Sequence, residues 1–154
     1  MTQLYKAVAS IMGIGFIKGG GTIAAAITGF GWYLLQPGFI TGFLLVVISI
    51  VIGVWVSNEV EKDWGTDSNK VVIDEVAGMA VTLLFIPSTL LMIATGFVLF
   101  RFFDIVKPLG IRKTEQLKGG WGVMTDDVVA GIYANVVLEV IVLTGISEKI
   151  CLLF

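Results

Sequence analysis

The stretch FITGFLLVVISIVIGVWV at residues 39–56 constrains this chain more than any other feature, because it carries no charge over 18 consecutive positions. About 20 apolar residues in a helix are needed to cross the ~30 Å hydrocarbon core of a bilayer. The rest of the chain is similar, since 56% of its 154 residues are hydrophobic and only 14% are charged. Soluble domains average about 25% charged residues. Lipid is therefore the expected solvent for much of this protein.

Four further apolar segments occur along the chain, at residues 23–35, 76–86, 90–100 and 128–144. Turn signals separate them, such as Gln36-Pro37-Gly38 and Pro87, and Ser88-Thr89 offers an N-cap for the segment that follows. The segments are continuous rather than alternating, which favours helices over the strands of a membrane barrel. Several are shorter than a full span and are expected to extend into the flanking charged stretches. The sequence predicts a single domain over residues 1–154, an all-α, polytopic membrane helical bundle with about four to six helices.

The charged residues are segregated along the chain. Nearly all of them lie in 58–75 and 101–127, whereas the links at 36–38 and 87–89 carry none. If successive helices alternate in direction, both charged stretches and most of the lysines and arginines lie on one membrane face. The positive-inside rule places this face in the cytoplasm. A net charge of −2 without a basic run predicts no nucleic-acid partner.

The missing residue types limit the chemistry. The chain has no histidine, and its one cysteine, Cys151, cannot form an intramolecular disulfide. Histidine-based catalysis and thiolate zinc sites are therefore excluded. The remaining metal chemistry uses carboxylate oxygens, which suit Mg²⁺ or Mn²⁺.

Two polar clusters occur where apolar segments meet the charged face. In VVIDEVAGM, Asp74 and Glu75 are adjacent among apolar residues. A carboxylate at such a position usually faces a partner or a cavity, although a helix dipole also favours acidic residues in a first turn. In FRFFDIVKP, Arg101, Asp104 and Lys107 are spaced by three and share a broad helix face. An interfacial salt bridge between Arg101 and Asp104 explains the second cluster as well as a function does.

The third polar cluster is KGGWGVMTDDVVAG, where Gly119 and Gly120 precede Thr125 and the pair Asp126-Asp127. Thr125 is predicted to be an N-cap, with both aspartates in the first turn of the last helix. A glycine-rich loop before a helix can present backbone N–H groups to phosphate. Two aspartates there would accept a phosphate only together with a cation. The alternative interpretation is a capped helix after a loose loop.

The three clusters together are more specific than each alone, because five carboxylates meet Arg101 and Lys107 on one membrane face. These carboxylates are Asp74, Glu75, Asp104, Asp126 and Asp127. Carboxylates can hold Mg²⁺, which also takes phosphate oxygens as ligands, and Arg and Lys can stabilise a departing phosphate. The set predicts phosphoryl transfer at the lipid surface. A metal-activated water is favoured over an aspartyl phosphate because no residue stands out as a nucleophile, but both mechanisms stay open.

The stretches VVIDEVAGM, FRFFDIVKPLGI and GGWGVMTDDVVAGI, in this order and spacing, resemble the phosphatidylglycerophosphatase A family. The N-terminal GGGTIAAAI resembles the glycine-threonine segment of that family, and the whole resemblance covers roughly residues 13–145. It implies Mg²⁺-dependent hydrolysis of phosphatidylglycerophosphate to phosphatidylglycerol and phosphate, in phospholipid biosynthesis at the bacterial cytoplasmic membrane.

Position by position, the resemblance implies that the five carboxylates bind the metal and act in catalysis. The residues that it implies for binding the substrate phosphate are Thr22, Arg101, Lys107, Gly119 and Gly120. The chain departs from the family pattern at Gly19 and Gly20, where the family usually has prolines. The exact phosphorylated glycerolipid is therefore left open.

Two interpretations from other classes also remain. Asn135 and Glu139 lie one turn apart in the last apolar segment, which is a feature that a small ion or metal transporter would use, and a hydrogen-bonded structural pair also explains it. A structural membrane subunit would need its carboxylates only for stability. Most charges lie at one interface rather than at the midplane, which favours surface chemistry. The sequence is compatible with an oligomer and does not specify one.

Overall fold

The computed structural model describes residues 2–66, 68–108, 111 and 117–145, so Cys151 lies outside the described residues. Within these ranges the chain is helical and has no strand, which confirms the predicted all-α class. The elements in chain order are α1 (Thr2–Ala9), a 3₁₀ turn (Ile14–Phe16), α2 (Gly20–Leu35), α3 (Phe39–Trp64), α4 (Ile73–Leu83), α5 (Leu90–Val106) and α6 (Gly120–Leu143).

Helices α2 to α6 correspond to the predicted apolar segments, and four of them, α3 to α6, extend into charged sequence as expected. α3 continues to Trp64 and α5 to Val106. The predicted cap of α5 is confirmed, because the hydroxyl oxygen of Thr89 accepts a hydrogen bond of 3.3 Å from the amide of Met92. α4 differs from the expectation of a membrane span, since its 11 residues are too few to cross a bilayer.

The start of α6 was predicted wrongly. The helix begins at Gly120, one turn before Thr125, and the Thr125 hydroxyl donates to the carbonyl of Trp121 at 2.6 Å instead of capping the helix. The reason is a contact between helices. The side chain of Asn58 in α3 accepts a hydrogen bond of 2.7 Å from the Gly120 amide and so satisfies a free amide at the start of α6, as a local N-cap would. The two aspartates at 126 and 127 therefore lie in the second turn of α6.

α4 is the central helix and contacts α2, α3, α5 and α6. Its backbone touches that of α6 at two glycines: a Cβ on Gly78 would lie 2.7 Å from the Asp127 carbonyl oxygen, and one on Gly131 would lie 2.4 Å from the Gly78 carbonyl oxygen. Small residues permit such close approach between membrane helices. Asp74 lies four residues before Gly78, and Asp127 lies four before Gly131, so each aspartate is on the same helix face as a contact glycine. This crossing brings the two acidic clusters together.

α3 has small and β-branched residues on its buried face and large apolar residues on its exposed face. Gly42, Val46 and Gly53 are buried, whereas Ile48 and Trp55 are 51% and 57% exposed. This pattern suits a helix whose outer surface contacts lipid. Among the described helices, α3 alone is both long and apolar enough to cross a bilayer, and α2 is apolar but only 16 residues long.

Asn135 and Glu139 have different surroundings in the structure. The Asn135 side-chain amide donates to the carbonyl oxygens of Thr82 and Leu84 at 3.0 and 2.8 Å, so it ties α6 to the C-terminal end of α4. Glu139 is exposed on the outside of α6. The structure therefore gives Asn135 a structural role, through backbone carbonyls at the end of α4 rather than through a pair with Glu139.

Candidate active site

A cavity of about 630 Å³ opens between the N-terminus of α2, the link from α3 to α4, and helices α4, α5 and α6. All five predicted carboxylates line it, together with Arg101, Lys107 and Thr22. The three polar clusters that lie far apart in sequence therefore share one cavity. Its volume is within the ~300–1,000 Å³ range of small-molecule sites.

Asp74, Glu75 and Asp127 form the closest group in this cavity. Each offers one carboxylate oxygen, and these three oxygens all lie within 4.8 Å of one another. One oxygen of each residue is buried and has no hydrogen-bond partner among the described residues: Asp74 Oδ1, Glu75 Oε2 and Asp127 Oδ2. Buried polar atoms are normally paired, and three carboxylates this close together repel one another. A hard divalent cation with oxygen ligands satisfies both conditions, so the donor set fits Mg²⁺.

The electrostatics of Asp74 and Glu75 agree with this interpretation. Both residues lie in the first turn of the short helix α4, which does not span a bilayer. Burial raises the pKa of Asp74 well above its usual value, and the nearby carboxyls of Glu75 and Asp127 raise it further. Burial also raises the pKa of Glu75, although the hydrogen bond from Asp74 and the charge of Arg101 oppose the rise. Without a cation, both groups therefore hold protons more readily than free carboxyls do.

The two cations on the α5 side are paired with acidic residues of the cavity. Arg101 Nη1 lies 2.7 Å from Asp104 Oδ2 and 3.9 Å from Glu75 Oε1. Lys107 Nζ lies 2.6 Å from Asp126 Oδ2. The salt bridge between Arg101 and Asp104 that the spacing allowed is present, but it lines the cavity rather than a free surface. The site thus alternates acidic and basic groups, which suits a bound cation next to a bound phosphate.

Lys107 is positioned by the end of its helix. It ends α5 in a left-handed conformation, with φ 47° and ψ 54°, and its amide donates to the carbonyl of Phe103. Pro108 follows directly and cannot continue the helix. α5 therefore ends just before this proline, and the turn leaves Lys107 in contact with Asp126.

The N-terminus of α2 forms the opposite wall, and Gly21 is the critical residue there. A Cβ on Gly21 would lie 1.7 Å from Glu75 Oε1, so only glycine leaves room for this carboxylate. Thr22 lines the cavity and is exposed. Sequence reasoning assigned Thr22 and missed Gly21, although the run of three glycines at residues 19–21 was a signal of close approach.

Gly119 and Gly120 lie outside this cavity. The Gly120 amide is bound by Asn58, and a Cβ on Gly120 would lie 2.1 Å from the carbonyl oxygen of Val54. Gly119 lines a neighbouring hollow whose wall also includes Asp126. This geometry therefore does not support the predicted phosphate-binding role of the two glycines. It indicates instead that glycine is needed at these positions for the close packing of α6 on α3.

Sequence reasoning also missed three polar residues on the cavity wall. Lys18 precedes α2, and Ser68 and Asn69 lie in the link between α3 and α4. None belongs to an apolar segment or to a carboxylate cluster, so no local pattern singled them out.

Comparison with known proteins identifies relatives of this chain. A sequence model of the family described as phosphatidylglycerophosphatase A matches residues 7–142. A protein of Bacteroides thetaiotaomicron named putative phosphatidylinositol-3-phosphatase is 42% identical over 128 residues, which cover 78% of this chain and 79% of the relative.

Two relatives are named phosphatidylglycerophosphatase A. The protein of Escherichia coli is 40% identical over 98 residues, and that of Haemophilus influenzae is 39% identical over 98 residues. Each match covers 62% of this chain and 57% or 60% of the relative, respectively. No solved structure matches the chain.

Proposed function

Because this chain belongs to the phosphatidylglycerophosphatase A family, we propose that it hydrolyses phosphatidylglycerophosphate to phosphatidylglycerol and phosphate, with Mg²⁺ as its cofactor. The single observation that supports this most strongly is the convergence of Asp74, Glu75 and Asp127 within 4.8 Å. Arg101 and Lys107 line the same cavity. Such a cavity combines a cation site with cationic side chains for a phosphate, which are the parts that phosphoryl transfer needs.

The proposed metal ligands are Asp74, Glu75 and Asp127, with Asp104 and Asp126 beside them. When bound, Mg²⁺ would supply Lewis-acid stabilisation of the charge on the phosphoryl oxygens. The chain itself supplies positioning: Arg101 is held by Asp104 and Glu75, and Lys107 by Asp126. Side chains that are paired in this way need little rearrangement when a phosphate arrives, which is the basis of electrostatic preorganisation.

Phosphatidylinositol 3-phosphate is a second candidate substrate, because the name of the Bacteroides thetaiotaomicron relative refers to it. That match covers more of both chains than the matches to the two proteins named for phosphatidylglycerophosphate. Both lipids carry a phosphate monoester on a hydroxylated head group. We therefore include both in the test of function.

The proposed location is the bacterial cytoplasmic membrane, with a multi-pass topology in which α3 is the one described helix long and apolar enough to cross by itself, and with the active site on the cytoplasmic face. The exposed apolar surface of α3 supports burial in lipid. Lys18, Arg101 and Lys107 all line the same cavity, and basic residues are enriched on cytoplasmic faces.

The test of function uses the purified full chain in detergent-lipid mixed micelles with phosphatidylglycerophosphate or phosphatidylinositol 3-phosphate. Released phosphate is measured with Mg²⁺ and with a chelator. We expect metal-dependent release that falls at least ~100-fold in Asp127→Asn and in Asp74→Asn, the size of effect that losing a key electrostatic group produces.

The matched control is Asp63→Asn, which removes a carboxylate of α3 that pairs with Lys6 at 2.8 Å and does not line the cavity. This variant should keep its turnover. Release that persists in the chelator, or full turnover by folded Asp127→Asn, would contradict the proposal. Cation flux into proteoliposomes without any phosphate release would favour the transporter interpretation instead.

A further inference from the structure

The cavity has a gradient of exposure from its floor to its mouth. Asp126 and Asp127 on the floor are 9% and 3% exposed. At the mouth, Lys18, Thr22 and Asn69 are exposed and Ser68 is half-buried. The other three carboxylates are half-buried, whereas the exposed mouth holds one cation and three neutral hydrogen-bonding side chains. A substrate in this cavity therefore meets two different chemical environments along its length.

Lys18 differs from the other cations of the cavity in having no ion-pair partner among the described residues. Arg101 and Lys107 are each paired with a carboxylate. Lys18 stands just before Gly19, whose φ of 80° begins α2 in a left-handed conformation. An ammonium group on a cavity wall without an ion pair of its own offers its full charge to an incoming anion.

The size of the cavity exceeds what a phosphate monoester alone would occupy. A volume of about 630 Å³ is typical of sites that enclose a larger ligand. Phe16 and Ile17 also line the cavity, and they are 62% and 56% exposed. Apolar side chains beside the exposed mouth suit the diacylglycerol end of a lipid. The polar side chains of the mouth then face the part of the head group that lies between the diacylglycerol and the terminal phosphate.

We propose that Lys18, Ser68 and Asn69 form a second head-group subsite, in which Lys18 binds a phosphodiester and the two neutral side chains bind hydroxyl groups of the linker. This inference rests on the proposed function. In both lipids named under the proposed function, the phosphodiester lies next to the diacylglycerol and the monoester lies beyond the hydroxylated linker. Phosphatidic acid, whose only phosphate is attached directly to diacylglycerol, cannot occupy the floor and this subsite at once.

The experiment compares the purified wild-type chain with Lys18→Met, which keeps the length of the side chain and removes its charge. Phosphate release is measured with phosphatidylglycerophosphate and with phosphatidic acid. We expect KM for the two-phosphate lipid to rise about tenfold, the effect of losing one charge-assisted contact, with kcat unchanged. KM for phosphatidic acid should stay the same. Asn69→Ala should raise KM for the two-phosphate lipid by a smaller factor.

The control variant is Lys62→Met, which removes an exposed lysine that pairs with Glu59 and does not line the cavity. It should leave both KM values unchanged. An equal rise for both lipids in Lys18→Met would overturn the proposal, because Lys18 would then attract any anionic lipid. No change for either lipid would overturn it as well.

A binding measurement separates this inference from the proposed function. Short-chain phosphatidylglycerol carries the phosphodiester and the hydroxylated linker but no phosphate monoester. It should bind the wild-type chain about tenfold more tightly than Lys18→Met, whether or not the enzyme turns over any lipid. Equal binding by the two proteins refutes the subsite, whereas absence of phosphate release from every lipid refutes the proposed function alone.

Discussion

Replacing Gly21 by alanine should disable the site without unfolding the protein. The added Cβ would lie 1.7 Å from Glu75 Oε1, 2.5 Å from Cδ and 3.2 Å from Cγ. An unstrained contact between carbon and oxygen is about 3.3 Å or longer, so the Glu75 carboxylate has to move by roughly 1.5 Å. Glu75 is a side chain and can move, but its present position is set by Arg101 and by the cluster with Asp74 and Asp127.

The size of the effect follows from the precision that a metal site needs. Mg²⁺ binds oxygen at about 2.0–2.1 Å, and ligand distances in real sites agree with such values within about 0.2 Å. A shift of roughly 1.5 Å would therefore remove Glu75 from the proposed ligand set. Misplacement of reacting groups by about 1 Å can cost ~100-fold in rate. We expect Gly21→Ala to lose about 100-fold in kcat/KM and to need at least ~10-fold more Mg²⁺ for half-maximal activity.

The assay is phosphate release over a range of Mg²⁺ concentrations, with thermal unfolding followed in parallel. Gly31→Ala is the matched control, because it lies on the same helix and a Cβ there meets nothing within 4 Å. Replacing glycine by alanine inside a helix stabilises it by about 0.5–1 kcal/mol. Gly31→Ala should therefore unfold at the same or a higher temperature and keep its activity.

Wild-type turnover and wild-type Mg²⁺ dependence in Gly21→Ala would refute the proposed role of Gly21 in leaving room for the Glu75 carboxylate. A double variant checks the cause. Glu75→Asp shortens the side chain that Gly21→Ala displaces, so both changes act on one carboxylate. Their costs should then be strongly non-additive, and additive losses would show that Gly21 acts through some other contact.

Two further predictions concern the structural asparagine and the acidic pair. Asn135→Leu leaves the carbonyl oxygens of Thr82 and Leu84 without their shared donor, so the free energy of unfolding should fall by about 1–3 kcal/mol while KM is unchanged. A denaturant titration and steady-state kinetics test this prediction. An unchanged midpoint of unfolding would contradict it. The raised pKa values of Asp74 and Glu75 mean that protons compete with the metal, so the Mg²⁺ requirement should rise as pH falls through the raised pKa of these groups. Saturating Mg²⁺ should restore activity at the lower pH, and a Mg²⁺ requirement independent of pH would contradict this assignment of ligands.

Some features of the site were predictable because they depend on spacing within one helix. Asp74 and Gly78 are four residues apart, as are Asp127 and Gly131, and a helix places such pairs on one face. The spacing of Arg101 and Asp104 likewise allowed the ion pair that the structure contains at 2.7 Å. Local patterns of this kind are independent of the rest of the fold.

Other features were not predictable because they depend on contacts between helices. The sequence around Thr125 resembles an N-cap, but the start of α6 is capped at Gly120 by Asn58 from another helix. Gly120 and Gly21 both occur in glycine runs, yet one packs against the backbone of α3 and the other against a carboxylate. Which glycine adjoins the site depends on how each helix is rotated about its axis, and the local sequence does not contain that information.

The sequence by itself determined the helical class of this chain and limited the side chains available for chemistry. Its lack of histidine leaves carboxylates as the candidate ligands for a metal. Only the tertiary structure decided that α4 crosses α6 at Gly78 and Gly131, which brings Asp74 and Glu75 to Asp127. The physical reason is that hydrophobicity and helix periodicity act over a few residues, whereas a site shared by three helices depends on how closely their backbones can approach.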